Sequence, residues 1–158
     1  MRAIEFTVLG TPAPKGSRRG MARADGKGAS LPGGSRANEM DLVDWSRAVR
    51  VAATEAVRIA LAGEPTRIFF PAVPLRLKLI FRMKRPMGHF NKKTGELKPN
   101  APKFCITPPD SSKLIRATED DLQGIVMLND SHFVEHFVRK PYAEPGKEGA
   151  WIRIEELT

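Results

Sequence analysis

Hydrophobic and polar residues alternate in two stretches of the chain, a period that is typical of half-buried β-strands. Ile4, Phe6 and Val8 alternate with polar residues over positions 2–9. From Leu75 to Met83 every second residue is apolar, and most of the residues between them are basic. A strand is therefore predicted over 2–9, a second over 75–83, and a final one over 150–155.

Two other stretches carry apolar residues at helical spacing. A helix is predicted over 39–62, with Asn38 as its N-cap and with Gly63 and Pro65 ending it. Its apolar stripe is expected to face the core and consists of Leu42, Trp45, Val49, Ala52, Ala56 and Ile59. A second helix is predicted over about 112–123 and is expected to end near Gly124.

The remaining segments complete the expected architecture. Residues 125–128 and 133–140 are predicted to pair as antiparallel strands around a turn, and 103–107 to form a short strand. Two basic segments, 10–38 and 84–103, are expected to be flexible loops, the second with a hairpin-like turn at 91–96. The sum is one α+β domain over residues 1–158. It would have a mixed or antiparallel sheet of four to five strands, with two main helices on one face.

The net charge of the chain indicates which kind of partner it attracts. The 158 residues hold 26 Lys and Arg against 18 Asp and Glu, a net charge of +8 that attracts polyanions such as nucleic acids. Charge alone does not separate a DNA-binding protein from a basic protein that binds no DNA. The single cysteine, Cys105, excludes an internal disulfide and a multi-cysteine zinc site. With no apolar run long enough for a bilayer and with Glu5 interrupting any secretory segment, a cytoplasmic protein without membrane contact is expected.

The charges are also unevenly distributed. Residues 75–105 contain nine bases and one acid. Residues 110–135 contain two bases and six acids, namely Asp110, Glu119, Asp120, Asp121, Asp130 and Glu135. Such a concentration of acids in a basic chain favours the binding of a divalent cation.

The second helix carries a candidate for phosphodiester chemistry. Asp110 stands just before the helix, and Lys113, Arg116 and Asp120 follow at i, i+3 and i+7 on one polar stripe. Asp110 and Asp120 are thus expected to face one space, where carboxylates would hold Mg²⁺ and a cation would neutralise phosphate charge. The structural alternative is an ordinary helix cap followed by a solvated charged face.

Residues 109–140 resemble the signature of the RusA family of Holliday-junction resolvases. The matching residues are Pro109, Asp110, Lys113, Leu114, Arg116, Asp120, Leu122, Gly124, Asp130 and Lys140. The stretch from Gly10 to Ser17 is similar to the first-strand exit of phage-type members. The resemblance implies a homodimeric nuclease that nicks four-way DNA junctions with Mg²⁺ or Mn²⁺, in recombination and repair.

The resemblance also implies roles for individual residues. Asp110 and Asp130 occupy metal-site positions, with Asp120 as a further candidate, and Arg116 occupies the position of the catalytic lysine. An arginine there would act electrostatically, because it does not give up its proton at neutral pH. Contacts to DNA phosphates are expected from Lys113 and Lys140 and from the basic loops, through Lys15, Arg18, Arg19, Lys84, Arg85, Lys92 and Lys93.

Three positions depart from the family pattern. Ser112 and Asn129 stand where the family has aspartates, and His132 replaces a glutamine. A hydroxyl is a poorer Mg²⁺ ligand than a carboxylate. Either Asp120 or Asp121 compensates, or the protein is a weak enzyme, or it binds branched DNA without cleaving it. An RNA-binding module is a third and weaker hypothesis, since only 7% of the residues are aromatic. His132 and His136 are expected on one strand face about 13 Å apart, too far to share a metal.

Overall fold

The computed structural model describes residues 2–15, 21–22, 29–30, 36–62 and 68–158. It is an α+β fold with a four-stranded mixed sheet and two helices, as the sequence predicted. In chain order the elements are β1 (Ala3–Leu9), β2 (Met21–Ala22), β3 (Ala29–Ser30), α1 (Arg36–Ala60), β4 (Leu75–Arg82), α2 (Ser111–Leu122), β5 (Phe133–Arg139) and β6 (Gly149–Glu156). Single 3₁₀ turns occupy Met87–His89 and Asp130–His132.

The main sheet has the strand order β1-β6-β4-β5. The C-terminal strand β6 lies in the middle and is antiparallel to both β1 and β4, whereas β5 is parallel to β4. β2 and β3 form a separate two-stranded ribbon. In the described part of the chain, β1 and β5 are therefore the two edges of the main sheet.

One hydrophobic core lies between one face of the sheet and the helices. Every second residue of β4 from Leu75 to Phe81 is fully buried, and Ile152 and Ile154 of β6 lie beside them. The helices contribute Trp45, Val49, Leu114 and Leu122 to the same cluster. Burying each such side chain stabilises the fold by roughly 1.5–3 kcal/mol, which is why the alternating and helical patterns identified these elements.

The first helix differs from its prediction at both ends. It begins at Arg36, so Asn38 lies inside the helix and is not its N-cap. Ile59 is 65% exposed rather than buried. The last turns of α1 run along the edge strand β1, and Ile59 lines an open groove between the two elements. The predicted stop at Gly63 and Pro65 lies outside the described residues.

The predicted antiparallel pairing of 125–128 with 133–140 is wrong. Gly124, at φ 80°, begins a compact turn in which its N–H donates to the carbonyl of Met127 at 2.8 Å. Val126 and Met127 are buried in this turn, and β5 pairs with β4 instead. A short apolar run predicts burial but does not distinguish a strand from a buried turn. The predicted strand at 103–107 is likewise reduced to a single bridge between Phe104 and Pro141.

The segment 84–103 is an organised loop rather than the flexible one expected. A bridge joins Phe90 to Leu97, and Gly95, at φ 73°, completes the predicted turn between them. Arg85 donates a hydrogen bond to the carbonyl of Pro102 at 2.9 Å, and its guanidinium lies 5.1 Å from the centre of the Tyr142 ring. These contacts order a segment whose composition alone predicted flexibility.

Within the described ranges, no helix is both long enough and apolar enough to cross a membrane.

Candidate functional site

Asp110 lies at the N-terminus of α2, and its side chain makes no hydrogen bond that holds the helix in place. It is the N-cap residue, with φ −65° and ψ 141°, yet its side chain makes no capping hydrogen bond. Its backbone carbonyl accepts hydrogen bonds from the N–H groups of Lys113 and Leu114 at 3.1 and 3.2 Å. The side chain is 61% exposed, and its Oδ2 lies 3.3 Å from Nζ of Lys113. The carboxylate is therefore available to a ligand, at the positive end of the helix dipole.

Lys140 fixes the backbone that leads into Asp110. Its ammonium donates hydrogen bonds to the carbonyls of Thr107 and Pro109, at 2.7 and 2.8 Å. Lys140 follows directly after β5, so Asp110 is held near the carboxyl end of that strand. Lys140 was expected to contact phosphate; two of its three hydrogens instead anchor the loop, and one remains for a phosphate oxygen.

The basic loop 84–103 lies at the same end of the sheet. It leaves β4 after Arg82 and returns along the continuation of β5, where the N–H of Cys105 donates a hydrogen bond to the backbone carbonyl of Lys140 at 2.8 Å. Lys92 and Lys93 are exposed in its turn. Asp110 and the loop lysines therefore share one rim of the molecule, which combines an available carboxylate with positive charge.

Arg116 extends this charged rim along α2. It lies three residues after Lys113, on the same helical stripe, and its side chain is exposed. It forms no ion pair with any other described residue, so the guanidinium is available for an external anion. Its predicted role beside phosphate is compatible with this position.

Asp120 does not share a space with Asp110, contrary to the expectation from the helical stripe. Ten helical residues separate the two, which corresponds to about 15 Å along the axis. That distance is too great for both carboxylates to hold one ion. Asp120 instead forms an ion pair with Lys15, which follows β1. The positive charge of Lys15, which was predicted to contact DNA, is therefore paired within the protein.

Asp121 is buried between the two helices. Ser46 of α1 donates a hydrogen bond to its carboxylate, and Arg50 donates to its backbone carbonyl at 3.3 Å. Burial raises the pKa of Asp121, and the Ser46 hydrogen bond opposes that rise. Asp121 therefore joins α1 to α2, and its carboxylate is not available to replace the aspartate that the resemblance leads one to expect at position 112.

Asp130 lies at the other end of β5 from Asp110. It is exposed and begins the 3₁₀ turn that leads into Phe133, the first residue of β5. The turn is stabilised by Asn129, whose side chain accepts a hydrogen bond from the N–H of Ser131 at 2.9 Å. The seven residues of β5 span about 20 Å. Asp110, held beside Lys140, and Asp130 are thus found at opposite ends of this strand.

The direction of α2 explains the separation. Glu119, in its third turn, contacts His136 in the middle of β5 through a 2.6 Å contact between Oε1 and Nε2. With its start beside Lys140 and its third turn beside His136, the helix runs antiparallel to β5. Asp110, which precedes α2, and Asp130, which precedes β5, therefore lie at opposite ends of β5.

No three His, Cys, Asp or Glu side chains gather into a possible metal-binding group within the part of the chain that the structure describes. His136 is engaged by Glu119, and His132 belongs to the 3₁₀ turn rather than to the strand predicted for it. Two surface grooves, of about 490 and 460 Å³, lie on α1 and between α1 and β1. Neither groove is lined by Asp110, Arg116 or Asp130, and all three of these side chains are exposed.

Several residues of this region were not identified from the sequence. Glu119 with His136, Ser46 with Asp121, and the carbonyls held by Lys140 all join segments far apart in the chain. A single sequence carries no local signal for such pairs. Arg18 and Arg19, which were expected to contact DNA, lie outside the described residues.

Comparison with models of known protein families gives no match, and comparison with curated proteins gives none either.

Proposed function

We propose that this protein is a Mg²⁺-dependent endonuclease that cuts branched DNA such as four-way junctions. The observation that carries the proposal is the charged surface at the N-terminus of α2. Asp110 has an exposed carboxylate that makes no capping hydrogen bond and lies beside Lys113. Arg116 lies about two turns further along the same helix, and the basic loop 84–103 lies at the same end of the sheet. An available acid within a positive surface suits a substrate whose phosphates bring their own negative charge.

The chemistry of the available donors fits a hard cation. Carboxylate oxygens are the ligands that Mg²⁺ prefers, and one or two are sufficient when water and phosphate oxygens complete the shell. Bound there, the ion would activate water and neutralise charge on the scissile phosphate. Asp110 and Asp130 are the residues proposed to hold it, and Mn²⁺ is proposed to substitute for Mg²⁺.

The separation of Asp110 and Asp130 requires a second copy of the chain. One chain does not bring both carboxylates to one ion, because they lie at opposite ends of β5. In a symmetric homodimer, Asp110 of one copy is able to meet the partner's Asp130, and the symmetry generates two such sites. Two equivalent sites also suit a reaction that nicks two strands of a symmetric junction.

The basic residues have separate proposed tasks. Arg116 holds negative charge on the phosphate without exchanging a proton. Lys113 neutralises Asp110 when no ion is bound and is free to contact phosphate when one is. Lys92 and Lys93 bind the backbone of a DNA arm, and Lys140 keeps the Asp110 loop in place.

The test is a nicking assay on a labelled four-way junction, with Mg²⁺, with Mn²⁺ and with excess EDTA. We expect nicking only with the metals, and we expect Asp130→Asn to abolish it while junction binding persists. Asp44→Asn is the matched control, since Asp44 is an exposed aspartate of α1 outside the rim. Equal nicking in EDTA, or full activity of Asp130→Asn, would contradict the proposal.

A second candidate is a protein that binds branched DNA without cutting it. Ser112 and Asn129 favour it, because they occupy positions where the resemblance expects aspartates, and Asn129 uses its side chain to cap the turn. This candidate predicts salt-sensitive junction binding with no metal-dependent nicking. Nicking gained by Ser112→Asp would identify the missing carboxylate as the cause.

A further inference from the structure

The face of the main sheet opposite the helices, here called the outer face, has two chemically different halves. In β4 the residues that alternate with the buried ones point to this face, and they are Arg76, Lys78, Ile80 and Arg82. Their neighbours on the outer face of the other strands include Glu5, Thr7, Leu9, Glu135, Phe137, Arg139, Trp151, Arg153 and Glu155. Within the described ranges, both long helices pack on the other side of the sheet, against the hydrophobic core.

The half of the outer face near the start of β4 is a closed network of ion pairs. Arg153 contacts both Glu5 and Glu155, at 2.7 Å each. Lys78 contacts Glu155 at 2.8 Å. Arg76 completes the network through a 2.6 Å contact with a further acid on β5. Because acids and bases neutralise one another here, this half offers no excess charge to a partner.

The half near the end of β4, here called the aromatic half, combines aromatic rings with arginines. Trp151, Ile80 and Arg139 lie side by side across β6, β4 and β5. Phe137 is 50% exposed, and Phe104, which lies beside the continuation of β5, is 48% exposed. The guanidinium of Arg139 lies 5.7 Å from the centre of the Phe104 ring, which places that ring on the outer face as well.

The positive charge of the aromatic half is uncompensated. Neither Arg82 nor Arg139 forms an ion pair with another residue that the structure describes. Nε and one terminal nitrogen of Arg82 are buried and make no hydrogen bond to the described part of the chain. Such burial is unfavourable for a guanidinium unless an anion pairs with it, because the nitrogens lose their hydration. The two arginines therefore favour an anionic ligand.

Exposed rings beside unpaired arginines on an open sheet suit unpaired nucleotides. Bases stack on aromatic side chains, and arginines contact the phosphates between them. From the spacing of strands and residues in a sheet, Trp151 and Phe137 are about 12 Å apart, which is far enough for each ring to take a separate base. A double helix keeps its bases stacked inside and offers no base surface to these rings. An apolar protein surface would leave the two arginines without a partner.

We propose that the aromatic half of the outer face binds single-stranded DNA. Trp151 and Phe137 stack on bases, and the phosphates between these bases are held by Arg82 and Arg139. Arg139 is the last residue of β5, so this surface lies at the same end of the sheet as Asp110. The binding needs neither a metal nor cleavage, and it therefore holds or fails independently of the proposed nuclease.

Ring removal tests the stacking. Binding of a labelled oligothymidylate is measured by fluorescence anisotropy in EDTA, and binding of a duplex of the same length is measured in parallel. Trp151→Ala is expected to weaken oligothymidylate binding about tenfold, through the loss of one stacked base, and to leave duplex binding unchanged. Phe137→Leu, which keeps an apolar side chain, is expected to show a similar loss. Trp151→Phe keeps a ring and should retain most of the affinity.

A matched pair of charge variants tests the arginine contact. Arg139→Gln and Arg47→Gln each remove one exposed positive charge, and Arg47 lies on α1 beside Asp44. We expect only Arg139→Gln to weaken oligothymidylate binding several-fold. Equal losses in both variants would show that the overall charge, and not this surface, attracts the strand.

Tryptophan emission supplies a readout that a purely structural role of Trp151 would not change. The chain has two tryptophans, and Trp45 is only 2% exposed in the core. Stacking is therefore expected to quench the emission of Trp151 and to spare that of Trp45. Trp151→Phe should remove the quenching while oligothymidylate binding persists.

The possible outcomes separate this surface from other occupants and from the nuclease. Equal losses of oligothymidylate and duplex binding in Trp151→Ala, or binding without quenching, would overturn the proposal. Tighter binding of oligouridylate than of oligothymidylate would assign the surface to RNA, and a lower molecular mass of Phe137→Leu in analytical ultracentrifugation would assign it to another protein chain. Either result would overturn it too. Single-strand binding that responds to the variants, without any metal-dependent nicking, would support this surface and contradict the nuclease.

Discussion

Gly149 passes so close to Val8 that no side chain fits between them. A Cβ atom on Gly149 would lie 2.0 Å from the carbonyl oxygen of Val8, and its φ of 151° disfavours any residue with a side chain. The contact occurs where β1 meets the start of β6. This glycine therefore allows the N-terminal strand to pair with the C-terminal strand.

Gly149→Ala is expected to destabilise the fold by roughly 3 kcal/mol or more, since both backbone strain and a main-chain clash must be relieved. The measurement is urea unfolding of the variant against wild type. Gly88→Ala is the matched control, because a Cβ there meets no atom within 4 Å. If Gly149→Ala unfolded at the same urea concentration as wild type, the close contact between Gly149 and Val8 would not be needed for the pairing of β1 with β6.

Glu155 is expected to make stability depend on acid pH. It lies on the sheet face opposite the helices with a side chain only 6% exposed, beside Lys78 at 2.8 Å and Arg153 at 2.7 Å. The hydrogen bond from Lys78, followed by that from Arg153, lowers the pKa of Glu155 from 4.5 to about 2. A lowered pKa in the folded state stabilises the protein above pH 4.5, and this contribution is lost as the pH falls towards 2.

Glu155→Gln should therefore lower the free energy of unfolding at pH 7 by roughly 1–3 kcal/mol, through loss of charged hydrogen bonds. The difference from wild type should shrink as the pH is lowered between 4.5 and 2. Urea unfolding across this pH range measures it, with Glu96→Gln in the exposed loop as control. A difference that stays constant with pH would show that the carboxylate charge is not responsible.

Lys140→Met is expected to release the loop that holds Asp110. The substitution keeps the apolar stem and removes both hydrogen bonds, to Thr107 and Pro109, at an expected cost of roughly 1–3 kcal/mol in stability. Nicking should fall while junction binding changes little, because the basic loop remains. Lys140→Arg, which restores donors, should recover part of both losses. If Lys140→Met kept the stability of wild type but bound junctions more weakly, Lys140 would instead be a residue that contacts DNA phosphate.

The sequence predicted the sheet core well because local periodicity reports burial directly. Residues 75–83 alternate, and the buried half of β4 is the half that the pattern indicated. Residues 125–128 show the limit, since a buried turn and a short strand have the same apolar content.

The candidate site was less predictable for a different physical reason. Helical spacing places Asp120 on a stripe with Lys113 and Arg116 but does not bring it near Asp110, because each residue adds length along the axis. The separation of Asp110 from Asp130 follows from the direction of α2, which the Glu119–His136 contact shows to be antiparallel to β5. Such long-range pairs are fixed by tertiary packing and leave no periodic signal.

The most direct test of the two-copy metal site is complementation between inactive variants. Asp110→Asn and Asp130→Asn are each expected to abolish Mg²⁺-dependent nicking, because each removes one carboxylate from both sites of the dimer. In mixed dimers, one site regains an intact Asp110 and the partner's intact Asp130. We therefore predict that mixing the two inactive proteins restores nicking of four-way junctions, to about a quarter of the wild-type level if the chains assort at random between two equivalent sites. No nicking in a mixture shown to contain mixed dimers would contradict the account.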